Sequence, residues 1–228
     1  FSPTYGGLRN EFLHMKDLQN RGHQVSMVTS NVSPYFIDLK NKNGKKLYNE
    51  SILISGIPVY VLHSTLPQIG VYCSNASNLA KEIIKKYDLI HIRNWYDHLS
   101  IVFYKAAQKY RIPFVFTSHG TLDPVARNKY NKRIKKIIDL IYTKKMLKEC
   151  GAIQASTDSE ITEFKKMGAE QQKIFRINMS VPVKDFQIKK RNDIVDRLKL
   201  KKSSYLLFLG RIHEKKGLEL LLESFSNV

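Results

Sequence analysis

The chain has 228 residues, 43% of them hydrophobic and 25% charged, a globular composition with length enough for one large packed domain or one and a half. Its net charge of +18 narrows the partners to nucleic acid, an anionic membrane surface or small phosphorylated ligands. No run of about 18 apolar residues occurs, so no transmembrane helix is expected, and Cys73 and Cys150, outside any Cys-x-x-Cys spacing, favour a reducing compartment without structural zinc.

The chain opens at Phe1 on a turn-like Ser2-Pro3-Thr4-Tyr5-Gly6-Gly7 and closes at Val228 inside a helical pattern, and it is expected to be a piece of a longer protein. Leu8, Phe12, Met15 and Leu18 lie on one helical face after Gly6-Gly7, with Gly22 as the C-cap. A glycine pair opening a helix either simply makes a turn or leaves free N–H groups at the positive end of the dipole for a phosphate. Gln24 to Ser30 alternates as a strand. Asn41 to Gly44 reads as a turn, and the β-branched and aromatic residues from Ile52 to Leu62 predict a hairpin or added strands.

After Pro67 the pattern becomes regular. Leu79, Ile83, Ile84 and Tyr87 predict a helix, Asp88 to Arg93 a strand, and Leu99, Val102, Phe103, Ala106 and Tyr110 another helix. That helix feeds the buried strand Phe114-Val115-Phe116, which breaks into Ser118-His119-Gly120 and a turn at Asp123-Pro124. Lys129 to Glu149 carries eight basic and two acidic residues, with Ile134, Ile137, Ile138 and Ile141 at helical spacing. Such a helix either turns one face to the core and one to water, or lies on an anionic membrane. Ala152 to Ala155 reads as a strand, Thr157-x-x-Glu160 as a capping box, Ile161, Phe164 and Met167 as its helix, and Ile174 to Ile177 as a last strand.

Helices between short apolar strands predict a doubly wound α/β domain with a parallel, Rossmann-like sheet over residues 1–183. Lys184 to Lys202, charged and poor in core residues, predicts a linker. Residues 203–228 predict the first strand, loop and helix of a second domain: Tyr205 to Leu209, then Gly210-Arg211-Ile212-His213-Glu214-Lys215-Lys216-Gly217, then Leu218, Leu221, Leu222 and Phe225. The loop is not a Walker phosphate loop, since Leu218 stands where Lys would follow the glycine. Arg211 and Lys216 are nonetheless suited to grip a diphosphate by charge-assisted hydrogen bonds.

Two loops leave the carboxyl ends of their strands, on the one edge where open α/β sheets bind ligands. One carries His119, which either caps its strand or touches a ligand. The other is Asn94-Trp95-Tyr96-Asp97-His98. Its aromatics beside polar groups suit a sugar ring, and core packing of Trp95 and Tyr96 explains them equally well.

Four features together resemble family 4 retaining glycosyltransferases of the GT-B architecture. They are Gly6-Gly7, Arg21-Gly22-His23 before Val25 to Thr29, the loop Ser118-His119-Gly120-Thr121-Leu122-Asp123-Pro124, and Gly210-Arg211 followed by Lys215-Lys216-Gly217. The resemblance implies an N-terminal acceptor-side domain and the start of a nucleotide-sugar-binding domain. It implies that Gly6, Gly7, Arg211 and Lys216 bind the donor's sugar-phosphate and diphosphate, and that His119 contacts the donor sugar near the reacting centre. Asn94, Trp95, Tyr96 and Asp97 are the acceptor-side candidates. The chain departs from the family at Asn178-Met179-Ser180-Val181-Pro182, where an Asn-Gly-Val-Asp-like turn is usual.

The implied reaction moves a sugar from a nucleotide-sugar to a glycan or lipid-linked acceptor with retention, without metal or other cofactor; the positive charge fits work in the cytoplasm or at the anionic inner face of its membrane. A nucleotide-sugar epimerase or phosphorylase of the same fold is the alternative. Nucleic-acid binding is a third reading that the scattered basic residues disfavour.

Overall fold

The computed structural model describes residues 6–31, 50–64, 72–128, 131–178, 196–200, 205–210, 212 and 216–226. The chain divides into two compact units, Phe1–Ser180 and Val181–Val228. The turns expected at residues 2–5 and 41–44, Arg211 and most of the linker expected at 184–202 lie outside the described residues.

Unit 1 begins with α1 (Gly6–Asn20). It stops where Gly22 takes φ +89°, a left-handed conformation that costs glycine nothing. There the Gly22 amide donates to the Gln19 carbonyl and the His23 amide to that of Leu18, a paired closure of the last turn. Next come β1 (Met27–Ser30), β2 (Glu50–Ile54) and β3 (Ile57–Leu62). β1 pairs parallel to β3, and β2 and β3 form the expected hairpin about Ser55-Gly56, both at positive φ. Phe12 of α1 packs with Ile54, Ile57, Val59 and Val61 in a small core of their own.

The second sheet is fully parallel, in the order β4 (Ile90–Arg93), β5 (Phe114–Thr117), β6 (Ala152–Ala155) and β7 (Ile174–Arg176). α2 (Ala76–Ile83) precedes it, α3 (His98–Tyr110) joins β4 to β5, and α7 (Asp158–Lys166) joins β6 to β7. Between β5 and β6 run α4 (Pro124–Asn128), α5 (Lys132–Ile138), a wide π turn (Asp139–Thr143) and α6 (Lys144–Glu149). These crossovers are what parallel strands require. The parallel α/β architecture expected from the alternation is therefore present in the four-stranded sheet, while the three-stranded sheet is mixed.

The core of the parallel sheet is aromatic. Trp95 meets Tyr104 and Phe116 edge-on at 6.1 and 5.9 Å, and Phe116 meets Phe164 at 6.2 Å. Edge-to-face contacts of this kind add to the area buried. Burial also holds the Cys73 and Cys150 thiols protonated, raising each to about 11.

Within unit 2, α8 (Leu218–Ser226) forms as the spacing predicts. Residues 205–209, expected as a strand, pair with no described strand, and Leu206, Leu207 and Leu209 are exposed. A strand exists only through a ladder partner, which local sequence cannot supply.

Trp95 is only 3% exposed. Trp95→Ala should lower stability by about 3–5 kcal/mol in urea unfolding followed by circular dichroism. A loss under about 1 kcal/mol would refute its place in the core.

Candidate functional site

The carboxyl edge of β5 turns sharply. His119 has φ +48° and Gly120 φ +75°, positive at both central positions of a turn closed by the Thr121 amide on the Ser118 carbonyl at 3.0 Å. Glycine accepts this freely, whereas histidine is strained there by roughly 1–2 kcal/mol. A carboxylate from another element holds the turn. Glu160 Oε1 accepts from the Ser118 hydroxyl at 2.6 Å and the Gly120 amide at 2.9 Å, while Oε2 accepts from the Ser156 amide at 2.8 Å. Hydrogen bonds to a charged acceptor are worth about 1.5–3 kcal/mol each, so the clamp outweighs the strain.

Glu160 is the acidic residue of the expected capping box. Thr157 Oγ1 does accept from its amide at 3.2 Å, but the carboxylate reaches past the cap to the neighbouring strand's loop. Sequence reasoning gave it a local role only.

The imidazole of His119 sits in a cluster that the sequence pattern did not reveal. Glu11 of α1 pairs with Arg93, the last residue of β4, at 2.5 Å between Oε2 and Nε. The other oxygen, Oε1, lies 3.2 Å from His119 Nε2. That nitrogen also lies 3.1 and 3.0 Å from Arg93 Nε and a terminal guanidinium nitrogen. One ring nitrogen cannot accept from arginine and donate to glutamate at once. The site therefore has two proton arrangements about a constant Glu11–Arg93 pair. In one, Nε2 accepts from Arg93; in the other, Nε2–H points at Glu11. The His119 side chain keeps 18% of its surface in solvent. Burial pulls the Arg93 guanidinium below its usual range while Glu11 opposes that shift.

A second polar chain runs across the sheet beside this cluster. His91 Nε2 and Thr117 Oγ1 are 2.8 Å apart, Thr117 donates to Gln154 Oε1 at 3.1 Å, and Gln154 Nε2 donates to the Ile177 carbonyl at 3.1 Å. Since Thr117 has one hydroxyl proton and directs it to Gln154, His91 must carry its proton on Nε2 and donate. Burial, reinforced by Arg93, His14 and His119, pushes the His91 pKa down to about 3. His91 is neutral here.

The loop after β4 is fixed from inside. Trp95 Nε1 donates to Thr143 Oγ1 at 2.8 Å, and Thr143 in turn donates to Asp139 at 2.8 Å. Tyr96 donates its hydroxyl to the same Asp139 oxygen at 2.8 Å, and Arg127 pairs with the other oxygen at 2.6 Å. Asp97 caps α3, accepting from the Ser100 amide at 2.7 Å and hydroxyl at 2.9 Å. Burial raises its pKa against those bonds.

Of the four acceptor-side candidates, Trp95 is thus a core residue with its N–H engaged, and Asp97 is a helix cap. The sugar-stacking expectation for Trp95 is corrected, because a ring packed on Tyr104 and Phe116 has no open face. Asn94 remains exposed at this edge and Tyr96 is half-buried. Gly6 and Gly7 form the first turn of α1. Lys216 belongs to unit 2, just before α8, and Arg211 lies outside the described residues. Among the described residues no three His, Cys, Asp or Glu side chains gather as a metal would need.

Two outcomes test this geometry. Glu160→Gln, which turns an amide N–H toward the Ser156 amide, should lower stability by about 1–3 kcal/mol and speed hydrogen exchange at the Gly120 amide. Unchanged exchange there would remove the clamp from the account. A histidine whose pKa falls on folding binds protons better when unfolded, so its contribution is whole above about pH 6.5 and is lost as pH falls toward about 3. The drop in urea midpoint between pH 7 and pH 4 should therefore be smaller in His91→Asn than in the parent; equal drops would contradict a neutral His91.

Comparison with known proteins places this chain in a family. Residues 14–184 match Glycosyltransferase Family 4. No curated protein matches the chain. Among solved structures, Alr3699/HepE of Anabaena in complex with UDP-glucose is 17% identical at a TM-score of 0.56, covering 75% of this chain and 44% of its own. The same protein with UDP is 14% identical at 0.56, over 89% of this chain and 58% of its own. The chain thus spans about half the length of these structures, which agree with it in fold. A UDP-N-acetylglucosamine 2-epimerase from Rickettsia bellii, 14% identical over 78% of this chain and 52% of its own, reaches a TM-score of only 0.38 and bears on nothing further. With a match over most of its length, the chain belongs to glycosyltransferase family 4.

Proposed function

We propose that the protein transfers a sugar from a nucleotide-sugar to a glycan or lipid-linked acceptor, with retention, in the cytoplasm or at the inner face of the cytoplasmic membrane. The observation that carries this reading is His119, strained and clamped at the carboxyl edge of β5, in a chain of this family. A solved structure of the same fold with bound UDP-glucose supports a nucleotide-sugar donor.

In this reading, breaking the anomeric C–O bond leaves new negative charge on the diphosphate, so cations and N–H dipoles are needed there. The family resemblance gives that task to Arg211, Lys216 and the amides of Gly6 and Gly7. The acceptor attacks from the face the leaving group departs, and its proton passes to the donor phosphate. His119 orients the donor sugar or stabilises the oxocarbenium-like state, and Glu11 and Arg93 hold its ring. Asn94 and Tyr96 are the candidates left on the acceptor side. No protein nucleophile and no metal are required.

The test is product analysis with a labelled nucleotide-sugar, with and without acceptor. His119→Ala and Arg211→Ala should each weaken transfer by ~3 kcal/mol or more, over about a hundredfold in kcat/KM. Near-normal turnover in His119→Ala would defeat the role given to this turn, and conversion of the donor without acceptor would indicate an epimerase.

A further inference from the structure

The helix from Lys132 to Glu149 is amphipathic, but its apolar residues divide between two sides. Ile138, Tyr142, Met146 and Leu147 pack on the core of the parallel sheet. Ile134, Ile137, Leu140 and Ile141 lie on the outside, all exposed, with Leu140 at 81%. Positions 134, 137 and 141 follow the three- and four-residue spacing of one helical face, and 140 stands beside them. Four branched aliphatics on one outward face are not scattered surface residues. Among the described residues nothing covers them.

Charge around this face is one-sided. Lys132, Arg133, Lys136, Lys144, Lys145 and Lys148 are all exposed. The helix's two acids are engaged elsewhere. Asp139 faces inward to Arg127, Tyr96 and Thr143. Glu149, at the far end, accepts from Tyr104 and Gln108 and pairs with Lys145. The protein's net charge is +18. A protein partner would need an apolar groove rimmed by acids, whereas an anionic bilayer offers an acyl boundary beneath a sheet of negative headgroups over any area.

We propose that this helix is a membrane-contacting face. Ile134, Ile137, Leu140 and Ile141 enter the headgroup boundary of an anionic lipid surface, and the flanking lysines bind its phosphates. No helix among the described residues is long and apolar enough to cross a membrane, so the contact is peripheral. The inference specifies the membrane partner of the proposed transferase, but lipid binding does not depend on sugar transfer.

Flotation of the full chain with vesicles of phosphatidylcholine and phosphatidylglycerol at 7:3, against phosphatidylcholine alone, is the test. The chain should float with the anionic vesicles and only weakly with the neutral ones. Leu140→Asp should reduce binding about tenfold or more, and Lys144→Ala about fivefold at low salt. Both side chains are exposed, so the thermal midpoint should hold, and a mutant that melts early is replaced by Ile137→Asp. Flotation unaffected by Leu140→Asp and Ile137→Asp would overturn the proposal, as would no flotation with anionic vesicles at about 0.1 M salt. A self-associated chain made monomeric by Leu140→Asp, without lipid binding, would assign the face to a second copy. Loss of sugar transfer with vesicle binding intact would count against the transferase reading and leave this one standing.

Discussion

The candidate site depends on a histidine held in a conformation that histidine disfavours. His119 and Gly120 both take positive φ at the end of β5, and the carboxylate of Glu160 keeps them there. Glu160 bonds the Ser118 hydroxyl, the Gly120 amide and the Ser156 amide. Strain of roughly 1–2 kcal/mol is offset by several charge-assisted bonds of about 1.5–3 kcal/mol each. The clamp ties the loop after β5 to the start of α7, so the turn that carries the imidazole is fixed by the fold itself.

The ring then meets two groups from distant parts of the chain, Glu11 on α1 and Arg93 on β4. The carboxylate and guanidinium are each mostly buried, and each makes the other's burial tolerable. Their contact leaves His119 Nε2 with an acceptor on one side and a donor on the other. Beside them, His91 is held neutral in a chain of side-chain hydrogen bonds. Two histidines thus stand in different settings, His91 within β4 and His119 in the turn after β5. His91 is held by that chain of bonds, and the His119 side chain keeps 18% of its surface in solvent.

Much of this could be read from residue patterns. Alternating apolar runs marked β4, β5 and β6 within a residue or two, and Gly22 closed α1 where expected. The Ser118-His119-Gly120 break was visible because strand-to-loop transitions are punctuated by small and turn-forming residues. Residue order alone does not place Trp95, since an aromatic beside polar residues looks alike in a core and in a sugar site. Packing against Tyr104 and Phe116 resolved it. Residue order likewise does not separate the inner and outer faces of the helix beginning at Lys132. Isoleucine spacing allows either side of the helix to meet the sheet, and it is Ile138 that does.

The sequence by itself determined the alternation of helices and strands, the parallel architecture, the family and the histidine at the sheet edge. The family rests on the resemblance of its motifs, and the rest follow from short-range periodicity and turn chemistry. Only tertiary structure decided which carboxylate clamps the turn, which ion pair faces the imidazole, where the His91 proton resides and which isoleucines stay outside. Each of those depends on side chains brought together across the sheet by crossover connections, and their meeting leaves no mark on local residue order.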